Sequence, residues 1–551
     1  MATPTGHTGG DLLVEVLRRH GVDTVFGIVS VHNLPLVEAV DRELRFVPVR
    51  HEATAVNAAD GYARARGGLG CALTSTGTGA GNAAGSLVES LSAGTSVLHV
   101  TGQVDTPYLG SGRGFIHETK DQLGMLTAVS RHAVTLTDPE SAGALLEEAV
   151  ARALAAPGGP SSVEWPIDLQ YATHPLLGPA GSTPAPGAPP EPNALAAAAG
   201  LLAAAERPVV WAGGGVADAG PALRAVVELL GAGLLTSNSG RGAVPEDHPL
   251  CVGNYATSPG GRALLAEADV LLSIGTHFRS NETADYTLAV PAAHIQVDLD
   301  PAAVGRVYPA THGLVADADA FLTALAAELA ALGAAPRAPW TTRVRAAREA
   351  VREQQRAALG DHTAFPDALR KVLPRRAVIA RDVTIASSSW GNRLLEIHDP
   401  RDNLFPRGGG IGQGLGMAIG AAAARPEEPT VCIAGDGGLA VHFGELMTLA
   451  QEAPWLVLLV FDDGGYGVLR NMQDGLGRAR SGVDLTSPDY AAVCRALGLA
   501  HTRITDPTSV TSALDDAVGL RRPVVVEVDL AAYPPMPAPF TPPVHVPGAP
   551  S

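Results

Sequence analysis

Short apolar runs alternate with alanine- and leucine-rich stretches along most of the chain. The runs include SVLHVTG, PVVWAGGG, VLLSIG, HIQVDLD, TVCIAG and LVLLVFDD, and a representative stretch between them is DAFLTALAAELAAL. This alternation predicts strands that pair in parallel and are covered by helices on both faces. Because ligands of such sheets bind outside the carboxyl ends of the strands, the glycines and acids that follow the runs are candidate site residues.

Two Pro- and Ala-rich segments interrupt this pattern, and the length of 551 residues also favours three or so domains. Pro cannot continue a helix or a central strand, so both segments are predicted to be linkers. We predict the fold class α/β, with three doubly wound parallel-sheet domains. The expected parts are domains at 1–174, 194–331 and 346–533, linkers at 175–193 and 332–345, and an irregular tail at 534–551.

The composition favours a small-molecule substrate. With 39 Lys plus Arg against 56 Asp plus Glu, the net charge of −17 repels nucleic acids and anionic membranes, so neither is an expected partner. The scattered cysteines disfavour a disulfide framework or a zinc site. The N-terminal segment lacks the features of a signal peptide, and no apolar run is long enough to span a membrane. A soluble, cytoplasmic protein is therefore expected.

The third block carries the strongest chemical signal. The run TVCIAG leads into GDGG at 435–438, and the run LVLLVF leads into DDGG at 462–465. Asp463 follows Asp436 by 27 residues, which suits one strand-helix-strand unit and puts both carboxylates at neighbouring strand ends. Their oxygens can share a hard cation that holds a diphosphate. Gly-Asp-Gly alone is more often an ordinary tight turn, so it is the pair of motifs that indicates a site.

This pair of motifs resembles the diphosphate-binding motif of thiamin-diphosphate enzymes, in which Gly-Asp-Gly is followed by a pair that is usually Asn-Asn. The segment RFVPVRHEATAVNAADGYARARG adds an independent match, because Glu52 follows a predicted strand and opens a helix. It resembles the pyrimidine domain of the acetolactate synthase, benzoylformate decarboxylase and pyruvate oxidase group, and is closest in type to acetolactate synthase large subunits. The resemblance implies that Glu52 contacts the aminopyrimidine ring and promotes deprotonation of the cofactor. Without the second motif, Glu52 would be interpreted as an acid favoured at a helix N-terminus.

Further matches to the group follow in the same order along the chain. TSTGTGAGN at 74–82 is similar to its TSGPGATN loop, and GGGIGQG at 408–414 is similar to the segment that places a bulky apolar residue, here Ile411, under the bent cofactor. The resemblance thus implies pyrimidine-binding, central and diphosphate-binding domains. The cofactor-binding residues that it implies are Glu52, Asn82, Thr384, Gly409, Ile411, Gly435, Asp436, Gly437, Gly438, Asp463 and Gly465. Mg²⁺ would be bound by Asp436, Asp463 and the carbonyl of Gly465.

Two other classes of protein are alternatives. GAGNAA at 79–84 satisfies the G-x-G-x-x-A pattern of nicotinamide-dependent oxidoreductases, but the pattern is weak alone. The third-block glycines do not satisfy it, because Leu415 stands where a small residue is required. A noncatalytic protein of the same fold would lack Glu52 or Asp436, and both are present. The central block resembles a domain that carries FAD in some members of the group, so FAD is possible but undecided.

The substrate side departs from the group at two places. Pyruvate decarboxylase-type enzymes usually carry an Asp at the position of Val31 and a later His-His pair, and the lack of both disfavours a decarboxylase of that type. Acetolactate synthases often have FQE where this chain has IHE, which puts His117 and Glu118 in that loop. His117 is therefore the candidate for proton transfer or contact with the substrate carboxylate, although a single histidine more often has a structural role.

This pattern favours a thiamin-diphosphate- and Mg²⁺-dependent lyase or transferase with Glu52 and His117 as catalytic residues. The favoured reaction is decarboxylation of a 2-oxo acid followed by carboligation to a second carbonyl, as in acetolactate synthases. Plain decarboxylation and a specialised biosynthetic or hydrolytic reaction are the alternatives, because the sequence does not identify donor or acceptor. The resemblance also implies a homodimer or homotetramer with the site at the subunit interface.

Overall fold

Three separate parallel sheets, each of six strands, form the framework of the chain. The computed structural model describes residues 7–178, 187 and 189–542. Helices pack against every sheet, which confirms the predicted α/β class with three domains. Within the described residues no helix is long and apolar enough to cross a membrane. All four cysteines are buried and free, and no disulfide framework was predicted.

The first domain contains six strands and seven helices among the residues that are described. Its strands are β1 (Thr24–Gly27), β2 (Arg45–Pro48), β3 (Gly70–Thr74), β4 (Val97–Gln103), β5 (His132–Thr135) and β6 (Ser161–Pro166). Its helices are α1 (Gly9–Arg19), α2 (Leu34–Glu43), α3 (Glu52–Arg66), α4 (Thr78–Ala93), α5 (Gln122–Val129), α6 (Pro139–Leu154) and α7 (Ile167–Tyr171). The strand order is β2-β1-β3-β4-β6-β5, so the order reverses between β1 and β3.

The central domain follows the same architecture. Its strands are β7 (Pro208–Ala212), β8 (Gly233–Thr236), β9 (Cys251–Gly253), β10 (Val270–Ile274), β11 (Ala293–Asp298) and β12 (His312–Val315). Its helices are α8 (Pro192–Ala204), α9 (Gly220–Leu230), α10 (Pro259–Glu267) and α11 (Ala318–Ala331), and α12 (Ala338–Leu359) follows them. The order β12-β11-β10-β7-β8-β9 reverses between β10 and β7.

The third domain repeats the strand order of the first. Its strands are β13 (Val378–Arg381), β14 (Asn403–Leu404), β15 (Thr430–Gly435), β16 (Leu456–Asp462), β17 (Ala500–Ile504) and β18 (Val524–Asp529). Its helices are α13 (Ala364–Val372), α14 (Gly414–Ala424), α15 (Asp436–Val441), α16 (Glu445–Glu452), α17 (Gly467–Gly475), α18 (Tyr490–Leu497) and α19 (Val510–Gly519). The order β14-β13-β15-β16-β18-β17 reverses between β13 and β15.

The first and third domains meet through two helices that occupy equivalent places. Helix α3 follows β2 and helix α14 follows β14, which is the second strand of its own sheet. A Cβ at Gly61 would lie 2.1 Å from the carbonyl oxygen of Met417, and a Cβ at Gly420 would lie 1.9 Å from that of Ala58. Only glycine permits such a reciprocal backbone approach. The contact therefore fixes α3 and α14 relative to each other.

The segment at 332–345 differs from the predicted linker. Helix α12 begins within it at Ala338, because Pro339 lies in the first turn, where its missing amide is tolerated. Trp340 and Val344 are buried in the core of the central domain, and the Trp340 indole donates to the carbonyl of Pro208 over 2.9 Å. Helix α12 thus packs on the central domain, although the third domain was expected to begin at 346.

The other predicted boundaries fall partly outside the described residues. The linker at 175–193 includes 179–186 and 188, which are not described, and α8 already begins at Pro192. In the tail, 534–542 contain neither helix nor strand, and 543–551 lie outside the described residues.

Candidate functional site

The two acidic motifs of the third domain lie side by side at the end of its sheet. Asp436 is the first residue of α15, directly after β15, and Asp463 directly follows β16. These strands are neighbours, with Gly435 opposite Phe461. The Asp463 amide donates to Oδ1 of Asp436 over 3.3 Å. The structure therefore brings the two carboxylates together as their spacing predicts.

Glycine at position 437 allows the two loops to touch. A Cβ at Gly437 would lie 2.8 Å from the carbonyl oxygen of Gly465, so any larger residue would push the loops apart. Gly435 in turn faces Thr384, whose Oγ1 would be 3.0 Å from an added Cβ. Thr384 follows β13, and Gly435 ends β15, so both lie where the strand order of the third sheet reverses. This is the position at which doubly wound sheets bind ligands.

The burial and the charges of the two carboxylates favour binding of a cation. Burial, reinforced by the charge of Asp436, raises the pKa of Asp463 to about 6. Burial and the charge of Asp462 likewise raise the pKa of Asp436. Oδ1 of Asp463 is buried without a hydrogen-bond partner, although the Arg470 guanidinium lies 3.6 Å away. A divalent cation would satisfy this oxygen and relieve the repulsion between the carboxylates, so the residues fit Mg²⁺.

The protein side chains alone do not complete a metal site. The described residues contain no group of three or more His, Cys, Asp or Glu side chains that could hold a metal ion. Asp436, Asp463 and the Gly465 carbonyl would supply three oxygens of an octahedron. The remaining ligands of Mg²⁺ are typically water and phosphate oxygens, so the arrangement suits an ion that a diphosphate helps to bind.

The glycine-rich segment at 408–414 is anchored by a buried acid. The carboxylate of Asp382, which directly follows β13, accepts hydrogen bonds from the amides of Gly412 (3.1 Å) and Gly414 (3.2 Å). Burial raises the pKa of Asp382 to about 6. In the same segment Gly409 has a φ of 84°, and the Ile411 side chain is 40% exposed. The segment also approaches the first acidic motif, because a Cβ at Gly412 would lie 3.3 Å from the carbonyl oxygen of Gly438.

The first domain positions Glu52 at the beginning of α3. Its carboxylate accepts a hydrogen bond from Nδ2 of Asn82 over 3.0 Å. A Cβ at Gly79 would lie 2.9 Å from Oε1 of Glu52, so α4 approaches the carboxylate closely. The start of α3 also reaches the third domain, because the amide of Arg50 donates to Glu445 over 3.0 Å. The structure thus unites Glu52 with Asn82, two of the residues that the resemblance implies for cofactor binding.

His117 lies in a loop after β4 and is paired with a second histidine. Its Nδ1 is 3.2 Å from Nδ1 of His32, which follows β1. The backbone of His117 has a φ of 66°, a left-handed conformation that is uncommon for residues other than glycine. The two rings therefore form one unit at the reversal point of the first sheet, which lies between β1 and β3.

Several residues of the site were not predicted. Asp382 could have been found, because it directly follows the apolar run AVIAR. Ser487 donates to Oδ2 of Asp436 (3.2 Å) and Oδ1 of Asp462 (2.6 Å), and Arg470 donates to the Asp463 carbonyl (2.9 Å), but neither carries a sequence signal. A cavity of about 550 Å³ between the three domains is lined by five arginines among other residues and by none of the predicted site residues, so this cavity is not the predicted site.

Family models match all three domains of the chain. Residues 7–125 match the N-terminal TPP binding domain of thiamine pyrophosphate enzymes, 195–325 match the central domain, and 385–528 match the C-terminal TPP binding domain. Each match lies within one of the three domains, although β5, β6 and β13 fall outside the matched residues.

Relatives are similar over nearly the full length. A probable 2-ketoarginine decarboxylase of Pseudomonas aeruginosa is 35% identical, covering 90% of this chain and 89% of the relative. The acetolactate synthase isozyme 2 large subunit of Escherichia coli is 30% identical, covering 95% of both chains. A probable acetolactate synthase large subunit of Methanocaldococcus jannaschii is 29% identical, covering 94% of this chain and 91% of the relative. The chain belongs to the thiamine pyrophosphate enzyme family and is a thiamin-diphosphate-dependent enzyme that acts on 2-oxo acids.

Proposed function

We propose that the chain decarboxylates a 2-oxo acid and releases the corresponding aldehyde. The observation that carries this proposal is the paired imidazole of His117, a side chain that can carry and deliver a proton. Acetolactate synthases often have an amide in this loop. The P. aeruginosa relative, named for decarboxylation of 2-ketoarginine, supports the same outcome.

Carboligation of the acetolactate synthase type is the second candidate. The relatives from E. coli and M. jannaschii support it by their names. The two reactions differ in the step after CO₂ is lost. The remaining carbon accepts a proton in plain decarboxylation and a second carbonyl compound in carboligation. A proton-donating side chain in the substrate loop favours the first reaction.

The roles of the remaining site residues follow from their positions. Asp436, Asp463 and the Gly465 carbonyl would hold Mg²⁺ and, through it, the diphosphate, while Gly437 and Gly438 let the backbone approach the phosphates. Ile411 would support the bent cofactor, and Glu52, oriented by Asn82, would hold a proton at the aminopyrimidine ring. When bound, thiamin diphosphate supplies the nucleophilic carbon and accepts the electrons that are released with CO₂.

Flavin is not included in the proposed function. The loops after β7 and β10 are in contact where the central sheet reverses, because a Cβ at Gly213 would lie 2.1 Å from the carbonyl oxygen of Gly275. A nucleotide at this reversal point would have to separate them.

The proposed assembly is a homodimer or homotetramer with the site between subunits. Helix α4, which carries Asn82, exposes the apolar side chains of Val88 and Leu91, and the third domain exposes Val441 and Met447. Exposed apolar side chains on the helix that orients Glu52 fit burial against a second copy of the chain.

Product analysis separates the two candidate reactions. With thiamin diphosphate and Mg²⁺, we expect a panel of 2-oxo acids, including pyruvate and one with a guanidino group, to yield CO₂ and aldehyde in equal amounts. Adding an aldehyde or a second 2-oxo acid should not divert the product. A hydroxyketone or acetohydroxy acid as the main product would instead favour carboligation.

Glu52→Gln tests the cofactor-activating carboxylate. We expect the variant to stay folded and bind thiamin diphosphate but to slow hydrogen–deuterium exchange at its C2 by about 10² to 10⁴-fold, because an amide cannot hold the required proton. Glu38→Gln, an exposed change on α2, is the matched control. Exchange at the wild-type rate in Glu52→Gln would remove Glu52 from the mechanism.

Asp463 is tested by two substitutions that differ in ligand capacity. Asp463→Asn should keep activity, because Mg²⁺ accepts an amide oxygen, whereas Asp463→Ala should lose Mg²⁺-dependent binding of thiamin diphosphate. The measurement is thiamin diphosphate affinity as a function of Mg²⁺ concentration. Asp474→Ala, which removes an exposed acid of α17, is the control. Wild-type affinity in Asp463→Ala would show that Asp463 is not a ligand.

Mixing the inactive Glu52→Gln and Asp463→Ala chains tests the shared site. If each site combines Glu52 of one subunit with Asp463 of its partner, hybrid dimers contain one intact site. Random reassortment should then restore about a quarter of wild-type activity. No recovery, with subunit exchange verified by mass spectrometry, would indicate that both residues come from one chain.

A further inference from the structure

We propose that His32 is a positioning residue that keeps His117 in the tautomer with its proton on Nδ1. In this tautomer Nε2 of His117 is the atom that takes up a proton from solvent and delivers it to the substrate. The inference rests on the proposed function, because it explains how the chain would direct the decarboxylated carbon towards protonation. The two residues are 85 positions apart in the sequence and meet through their Nδ1 atoms at 3.2 Å.

A hydrogen bond between two Nδ1 atoms requires one donor and one acceptor. The ring of His32 is 3% exposed, and burial, together with the charge of His117, lowers its pKa. A protonated His117 carries hydrogen on both nitrogens, so it can only donate through Nδ1. The arrangement in which His32 accepts therefore suits both protonation states of His117 without any movement of the shared proton.

The backbone around both rings is held by close contacts. Gln170 donates to the carbonyl of His32 over 2.8 Å, and a Cβ at Gly102 would lie 2.3 Å from the same oxygen. A Cβ at Gly77 would lie 2.4 Å from the carbonyl oxygen of His117. The left-handed backbone of His117 is a conformation that residues other than glycine rarely adopt. Such a conformation persists where the surrounding structure enforces it, and it often occurs at functional sites.

A short backbone stretch at the start of α4 connects the pair to Glu52. Gly77, which touches His117, is two residues from Gly79, which faces Glu52. In the part of the chain that the structure describes, Nε2 of His117 makes no hydrogen bond, and the ring is partly exposed. Val31 and Ile116, each adjacent in sequence to one histidine, are 60% and 62% exposed. Within the described residues, Nε2 is therefore not committed to another group, and exposed apolar side chains stand next to both histidines in the sequence.

The charged groups around the pair leave its shared proton with His117. The charge of Asp105 acts against the effect of burial, but the pKa of His32 stays below its usual value. The carboxylate of Glu118 accepts hydrogen bonds from the amides of Gly112, Gly114 and Phe115. Its hydrogen bonds are thus made within its own loop and not with the histidine pair. The Asp168 carboxylate accepts from Thr106. Phe115 packs edge-on against His32, with 6.5 Å between ring centroids.

The proton balance of the reaction defines the task of the pair. A 2-oxo acid anion plus one proton gives an aldehyde plus CO₂. The bond between the carbonyl carbon and the carboxylate breaks, and its electron pair forms the new C–H bond. Nε2 of His117 supplies the proton and is recharged from water, while Nδ1 stays bound to His32.

The tautomer can be measured without substrate. In protein labelled with ¹⁵N-histidine, we expect the ring shifts of neutral His117 to report hydrogen on Nδ1. His32→Leu should shift His117 towards hydrogen on Nε2, whereas His32→Asn, whose carbonyl can accept, should retain the wild-type form. His277→Asn, a change of an exposed histidine in the central domain, is the control. An unchanged tautomer in His32→Leu, or hydrogen on Nε2 in the wild type, would overturn the proposal.

Kinetics separates positioning from a merely structural role. His32→Leu should lower kcat for aldehyde release by about 10²-fold, with little change in thiamin diphosphate affinity or unfolding temperature. In a His117→Ala background, His32→Leu should cause no further loss, because His32 acts only through His117. Additive losses would contradict the proposal. If the wild type decarboxylates no 2-oxo acid, the proposed function fails, and the tautomer measurement still decides the role of His32.

Discussion

The reciprocal glycine contact between α3 and α14 is the constraint that fixes the first and third domains of one chain against each other. Gly61 and Gly420 let each helix touch the backbone of the other, and no side chain can be inserted between them. Because α3 begins at Glu52 and α14 begins where the segment at 408–414 ends, the contact sets the positions of Glu52 and of this glycine-rich segment within one chain. The shared strand order of the two domains makes this pairing symmetrical.

Both outer sheets place their polar groups where the strand order reverses. In the third domain Asp382 follows β13 and Asp436 follows β15, and in the first domain His32 follows β1. The third-domain groups are buried acids, which by themselves would repel a diphosphate. In the proposed function Mg²⁺ would lie between the two sets of anions, and the raised pKa values of Asp436 and Asp463 and the unpartnered oxygen of Asp463 support that proposal.

Local patterns predicted the sheets and the strand-end motifs because both depend on residues close in sequence. The apolar runs define β15 and β16, and the glycines and acids that follow them need no long-range information. Contacts between distant segments have no comparable local pattern in the sequence. The His32–His117 pair joins residues 85 positions apart, and Ser487 reaches Asp436 across 51 positions. The start of α12 was missed for a different reason, because Pro339 was interpreted as a helix breaker although it stands in a first turn.

The left-handed backbone at His117 limits which residues can replace it. Glycine would adopt this conformation at no steric cost and asparagine at a small one, whereas a β-branched residue would be strained there. A substitution at position 117 therefore probes the ring alone only if the new residue tolerates the turn. His117→Asn removes the imidazole and keeps a side chain that suits the turn, whereas His117→Val would remove the ring and strain the loop at once.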